Sequence, residues 1–210
     1  MLNIMDVSRW QGEIDWDAVK ASGKVDGVML RAVSYSAAYG GLYVDPTFET
    51  NYRSCVEAGL PAGAYFYMTA TTADQAKKEL AKVGVALEGK EFRLPIAVDV
   101  EAPRLKALHP NELTKLVKME SKQIETWGLY AMVYTYTNFA DTALNMFELT
   151  NYDLWIADYR GKRPTRKHGM WQYTSKAAVP GVKGNVDMSY AYKNYPAIIA
   201  RTGLTKLKGV

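Results

Sequence analysis

One cysteine, two histidines and no long apolar run narrow this chain before any motif is read. A lone Cys55 supports neither an internal disulfide framework nor a Cys-rich zinc site. On its helix it reads as a small buried hydrophobe. His109 and His168 fall in expected loops, and no His-Glu-x-x-His pattern exists to hold a catalytic zinc. There is no Gly-x-Ser-x-Gly elbow, no P-loop and no dinucleotide fingerprint. No segment approaches the ~20 apolar residues of a membrane-spanning helix. Met1-Leu2-Asn3-Ile4-Met5 runs straight into an apparent strand, without the charged and then apolar regions of a secretory leader. The expectation is a chain made in the cytosol, with no membrane insertion. Solenoid-length repeats and low-complexity segments are also missing.

What remains is ordinary for a globular domain: 210 residues, 48% hydrophobic and 23% charged, enough for one well-buried core. The net charge of +4 is mild. Its basic residues are scattered except in Arg160-Gly161-Lys162-Arg163-Pro164-Thr165-Arg166-Lys167-His168. That run reads as a solvated loop, or as a contact for an acidic polymer such as nucleic acid or an anionic cell wall.

Strand and helix patterns alternate from the N-terminus. A strand over Leu2 to Val7 is followed by Asp15, which can cap a helix to about Ser22. Gly27 to Val33 reads as a second strand ending in a polar loop rich in Ser, Tyr and Gly. Asp45-Pro46 reads as an N-cap with proline at the first helical position, opening a helix to Ala58. A strand over Ala62 to Met68, a long helix over about Thr72 to Leu87, and a strand over Leu94 to Glu101 come next. Pro110 opens a helix to about Trp127, and a strand over Tyr130 to Thr135 precedes a helix over Asn138 to Met146. Three further strands, at Tyr152 to Tyr159, Gly169 to Tyr173 and Val186 to Met188, have connections too short and too rich in Pro and Gly for full crossover helices. Eight strands and five helices in this order imply a parallel sheet closing into a barrel. The domain is expected over residues 1–194, with 195–210 as a C-terminal extension or the start of a linker.

The chemistry centres on Leu94-Pro95-Ile96-Ala97-Val98-Asp99-Val100-Glu101, an apolar run that ends in two carboxylates. Strand side chains alternate faces, so Asp99 and Glu101 point one way and Val98 and Val100 the other. Sites in α/β proteins gather at such carboxyl ends of strands. Asp6 ends the first strand and Asp187 lies in the last, and barrel closure would bring all four acids to one mouth. Like charges confined together cannot all ionise, so at least one acid stays protonated near neutral pH. A protonated acid beside a charged one is the division of labour of a glycosidase. The plainer alternatives are acids that merely solvate a strand end, or a Mg²⁺ site built from the same carboxylates.

Sugars also need flat surfaces. Trp10, Tyr65, Tyr67, Tyr134 and Trp155 lie near expected strand ends, as do Tyr136, Tyr159, Trp171 and Tyr173. Such rings suit stacking on pyranoses, with hydroxyl and indole N–H groups as polar handles. Gln172 and Arg31 complete the candidate substrate-binding set.

Several motifs in order resemble the glycoside hydrolase family 25 muramidases, the Chalaropsis-type lysozymes and phage endolysins. They are Met5-Asp6-Val7-Ser8-Arg9-Trp10-Gln11-Gly12 with Ile14-Asp15-Trp16, Asp99-Val100-Glu101, Leu154-Trp155-Ile156-Ala157-Asp158-Tyr159, Trp171-Gln172-Tyr173 and Gly181-Val182-Lys183-Gly184-Asn185-Val186-Asp187. The resemblance covers the chain to about residue 192. It implies an α/β fold, an irregular flattened (β/α)5(β)3 barrel of TIM-barrel-like form. It also implies hydrolysis of the β-1,4 bond between N-acetylmuramic acid and N-acetylglucosamine in peptidoglycan glycan strands, without cofactor or metal.

By position, the resemblance makes Glu101 the general acid/base and Asp99 its charged partner, with Asp6 and Asp187 as flanking acids. Tyr65 and Tyr134 match positions whose hydroxyls line the sugar site. The pattern departs at Tyr65-Phe66-Tyr67, where Tyr-His-Phe is common, and at Ser189, where Asn is frequent. The biology implied is an endolysin, a monomer waiting in the host cytoplasm for a holin, with or without a cell-wall-binding domain beyond Val210. A secreted autolysin and an inactive sugar-binding barrel are the alternatives.

Overall fold

The computed structural model describes residues 1–208, so the last two residues of the expected terminal extension lie outside the described residues. Nine strands form one sheet: β1 (Leu2–Val7), β2 (Gly27–Ser36), β3 (Gly41–Val44), β4 (Ala62–Tyr67), β5 (Ile96–Asp99), β6 (Ala131–Tyr136), β7 (Asp153–Ala157), β8 (Met170–Ala177) and β9 (Val186–Ala191). Their order is β1-β9-β8-β7-β6-β5-β4-β2-β3, and β1 also pairs with β2. Eight strands therefore close into a barrel, and β3 hangs on β2 as an antiparallel edge. β3 is the strand that the sequence pattern does not announce. It arises because the expected polar loop folds back as a hairpin, with a short 3-10 turn at Ala37–Tyr39 and positive φ at Gly40 and Gly41.

The sheet is not wholly parallel either. β9 runs antiparallel to both neighbours, β8 and β1. The reason is the β8–β9 connection, too short for a crossover helix and able to join only antiparallel neighbours.

Helices α1 (Trp16–Ala21), α2 (Phe48–Glu57), α3 (Ala73–Leu87), α4 (Pro110–Thr126) and α5 (Thr137–Thr142) supply the crossovers. Asp15 caps α1 through Oδ1, which accepts the Ala18 N–H at 2.9 Å. α2 differs from expectation: it starts at Phe48, after a turn over Pro46 and Thr47. Asp45 is buried; its Oδ1 accepts the Thr47 N–H at 3.0 Å before the helix, and its Oδ2 pairs with Arg31. α5 stops at Thr142, and a 3-10 turn at Met146–Leu149 follows.

Period-two alternation sorts the strands into two cores. Met5, Val7, Val28, Leu30, Ala64, Phe66, Val98, Val100 and Val133 face outward and pack with the helices in the larger core. Ile4, Met29, Ala97, Met132, Trp155, Met170 and Ala191 face inward and fill the barrel. Gly63 also faces inward, where a Cβ would sit 2.6 Å from both Met29 Sδ and the Pro95 carbonyl. Segment 195–208 does not trail away. α6 (Tyr195–Thr202) adds Tyr195 and Ile199, both fully buried, to the interior core. Lys206 and Thr205 then bridge to Glu91 and Leu129.

Candidate active site

A cavity of about 570 Å³ opens where the parallel strands end. Asp6, Asp99, Glu101 and Asp187 all line it, together with Tyr65, Tyr67, Tyr134, Trp155, Gln172, Trp10 and Arg31. The four acids and these seven candidate side chains thus line one place. The register shows how: Arg31 pairs with Tyr65, Tyr67 with Asp99, Asp99 with Tyr134 and Tyr134 with Trp155 around the parallel strands. Gln172 pairs with Ser189 and Asp187 with Asp6 on the antiparallel side. In register, Arg31 and Tyr65 lie level with Ala97, while Tyr67, Asp99, Tyr134 and Trp155 lie one inward position further toward the mouth.

Glu101 lies beyond the end of β5, and its neighbour holds it there. The Val100 N–H donates to the Tyr134 carbonyl at 2.8 Å, and the Val100 carbonyl accepts the Thr135 hydroxyl at 2.7 Å. Val100 is fully buried on the outward face, so Glu101 turns inward. Its carboxyl is half-buried, whereas Asp6 and Asp99 are nearly sealed from water.

Burial raises all four acids, and neighbouring carboxylate charges add to the rise at Asp6, Asp99 and Glu101. Burial is the largest cause at each. For Asp6 the charges of Asp187 and then Glu101 add to it, and for Asp99 those of Glu101 and Asp6. Arg31 opposes the rise at Asp99, while Asp187 adds to the rise at Glu101. Contact between the Asp6 and Asp187 carboxyls raises the first and lowers the second. One oxygen is conspicuous: Asp99 Oδ1 is buried without a hydrogen-bond partner.

Gln172 organises the polar floor. Its Oε1 accepts the hydroxyls of Tyr134 at 2.9 Å and Tyr159 at 2.6 Å, which obliges Nε2 to donate to Asp6 Oδ2, at 2.9 Å. Burial and the surrounding carboxylates push both phenols upward, so they remain donors. Trp155 is buried to 1% exposure, with Nε1 donating to Ser189 Oγ at 2.9 Å. It is a floor for the site rather than an open stacking face. The exposed rings lining the cavity are Trp10, at 71%, Tyr159, at 52%, and Tyr35, at 44%.

Three aromatics of the wider set lie elsewhere. Trp171 and Tyr173 have the opposite parity to Gln172 on β8 and point outward, where they pack with Tyr190. Tyr136 packs edge-on against Phe139. The histidines are also remote: His109 Nδ1 accepts the Asn111 N–H at the start of α4, and His168 packs on Tyr192. Asp158 ends β7 yet serves the β7–β8 loop, with Arg160 and the Thr137 hydroxyl bound to its carboxylate and holding its pKa well below the ordinary range. Among the described residues, no three His, Cys, Asp or Glu side chains are arranged to hold a metal ion.

Sequence reasoning missed the residues of the wall beside Arg31. Arg9 lines the cavity three residues after Asp6, and the Ser8-x-x-Gln11 capping box that places it was a visible signal. Asp45 secures Arg31, accepting from its Nε at 2.8 Å. Ser34, Ser36 and Tyr43, on β2 and β3, complete this wall, and the unannounced hairpin hid them.

Residues 5–182 match the family model described as Glycosyl hydrolases family 25. A protein named YegX from Escherichia coli O157:H7 is 33% identical over 190 residues, covering 88% of this chain and 67% of its own length. An autolytic lysozyme of Clostridium acetobutylicum is 28% identical over 186 residues, covering 88% of this chain and 54% of its own. Among solved structures, the bacterial lysozyme from Streptomyces coelicolor superposes with a TM-score of 0.82 at 22% identity, covering 96% of this chain and 98% of its own, a likeness of fold. This chain belongs to glycosyl hydrolase family 25.

Proposed function

We propose that this chain is a muramidase, hydrolysing the β-1,4 bond between N-acetylmuramic acid and N-acetylglucosamine in peptidoglycan. The observation that carries the reading is the gathering of four carboxylates, from β1, β5, β9 and the residue just beyond β5, around one cavity in a family 25 barrel. Relatives named as lysozymes support it.

Burial and the Glu101 charge raise Asp99, and burial and the Asp187 charge raise Glu101, which favours a retained proton at this strand end. In the reaction that proton sits on Glu101 and passes to the leaving glycosidic oxygen, leaving Asp99 charged. Asp99 then steadies the positive character at the anomeric carbon. Its unpartnered Oδ1 is free to accept the N–H of the substrate's 2-acetamido group, so that the acetamido oxygen closes on the anomeric carbon. Glu101, now a base, draws a proton from water, and the product keeps its anomeric configuration. Asp6, held by the Gln172 amide, completes the acid cluster beside Asp187 and Asp99. Carboxyl groups and water suffice for these steps.

Mass analysis of digested peptidoglycan tests the reading: new reducing ends should be N-acetylmuramic acid. Glu101→Gln should lower turnover by about 10²–10⁴-fold without changing the fold. Release of N-acetylglucosamine ends, or full turnover in that variant, would reject it. Binding to walls without any new reducing ends would leave a sugar-binding barrel instead. The place of action is the bacterial cell wall. We place the enzyme in a host cytoplasm before a holin opens the membrane; recovery from the medium of intact cells would favour secretion.

A further inference from the structure

The cavity has a second, cationic wall. Two cations line it, and Arg31 is committed to Asp45 Oδ2, with Nε at 2.8 Å and Nη2 at 2.7 Å. Arg9 has no ion-pair partner among the described residues. Its Nε is out of water and makes no hydrogen bond. Its guanidinium carbon lies 4.1 Å from the Trp10 ring centre, 5.2 Å from Tyr39 and 6.0 Å from Tyr43, and the two tyrosines stack on each other at 4.2 Å. Stacking uses the flat faces of a guanidinium and leaves its N–H edge free, the edge that grips a carboxylate with two parallel bonds.

The backbone beneath is fixed as well. Ser8 and Gln11 close a capping box around Arg9, and the Arg9 N–H donates to Asp45 Oδ2 at 3.1 Å. An arginine bordering a cavity with four acids would ordinarily fold onto one of them. Here the aromatic cradle keeps it apart, with an unused donor in place before substrate arrives.

We propose that Arg9, in its cradle of Trp10, Tyr39 and Tyr43, is the subsite for a carboxylate carried by the substrate, and that it selects muramic-acid-bearing chains over neutral β-1,4-linked glucosamine chains. This rests on the muramidase reading. Two substrate groups share that chemistry: the 3-O-lactyl carboxylate of peptide-free muramic acid, and the carboxylates of the stem peptide attached there.

The test measures reducing-end release by the full chain on three soluble glycan substrates: peptide-free strands, peptide-bearing strands, and peptide-free strands with carboxylates converted to neutral methylamides. Arg9→Gln should raise KM about tenfold on a charged substrate, with kcat within about twofold. Arg9→Lys should recover only part of the loss, because a point charge lacks the fork. Neutral strands should be equally poor for wild type and both variants. That comparison needs no variant to fold, since wild type alone should lose affinity when the charge is removed.

An effect on peptide-free strands assigns the lactyl carboxylate; one confined to peptide-bearing strands assigns the stem peptide. Equal KM for wild type and Arg9→Gln on all three overturns the subsite, as does a loss on neutral strands equal to that on charged ones. If wild type releases no reducing ends from any substrate, the muramidase reading fails and this one with it. Reducing ends with no Arg9 effect sink the subsite alone.

Discussion

Asp6 and Asp187 stand directly opposite each other on antiparallel β1 and β9, although they come from the two ends of the chain. Both are inward positions, so the carboxyls meet above the barrel filling and share a hydrogen bond. Two like-charged groups on facing strand positions are destabilising when both ionise. Burial raises both carboxyls, and the Asp187 charge acts in turn on Glu101.

From this follows a pH shift. Burial and then the Asp187 charge raise Glu101, and the pKa of a general acid sets the alkaline limb of the rate profile. Asp187→Asn removes the charge and lets that pKa fall, so the alkaline limb of kcat/KM should move to lower pH. An unmoved limb in rates measured on soluble glycan strands would contradict the coupling.

Gln172 joins three groups that no local segment could bring together. Gln172→Leu strands the buried Tyr134 hydroxyl and removes the donor to Asp6. The expected cost is about 1–3 kcal/mol for an orphaned buried group, read from urea unfolding. Activity should fall too, because Asp6 loses the bond that orients it.

Packing inside the barrel is tested at Gly63. An added methyl would meet Met29 Sδ and the Pro95 carbonyl at 2.6 Å, and a backbone atom cannot swing aside. Gly63→Ala should therefore destabilise by about 1–3 kcal/mol, as overpacking does. Unchanged denaturation would show that β4 and β5 have room to part.

A second acid pair lies outside the cavity, between α3 and α4. Glu79 Oε1 accepts the Thr69 N–H at 2.9 Å, just beyond β4, and Glu120, fully buried, is raised by burial and by the charge and hydrogen bond of Glu79. A raised folded-state pKa stabilises the fold most below the ordinary Glu value of about 4.3 and loses that contribution as pH climbs through the raised pKa. Glu120→Gln keeps an N–H donor toward Glu79 and has no proton to lose. Its stability relative to wild type should grow as pH climbs above the ordinary Glu value of about 4.3, measured by urea midpoints.

How much was legible varies with the range of the interaction. Asp99 and Glu101 could be placed on one face from strand periodicity alone, because alternation is a property of adjacent residues. The same rule separates Gln172 from Trp171 and Tyr173, a distinction that a list of nearby aromatics overlooks. β3 escaped because its hairpin is short and polar, without the apolar run that marks a strand. Asp45 was legible as a partner for the N–H groups that open α2, and its Oδ1 does accept the Thr47 N–H, but the Arg31 on β2 that takes its Oδ2 was not legible.

The amino-acid order by itself determined the alternation of strand and helix, the parity of each strand and hence the face on which every acid lies, since these depend on backbone geometry a few residues long. Only the tertiary structure decided that β9 would turn antiparallel and slot between β8 and β1, that α6 would close the barrel from beneath, and that Arg9 would be left without a carboxylate. Those outcomes depend on through-space closure of a whole sheet. No local run of residues encodes which distant side chains will then share a wall.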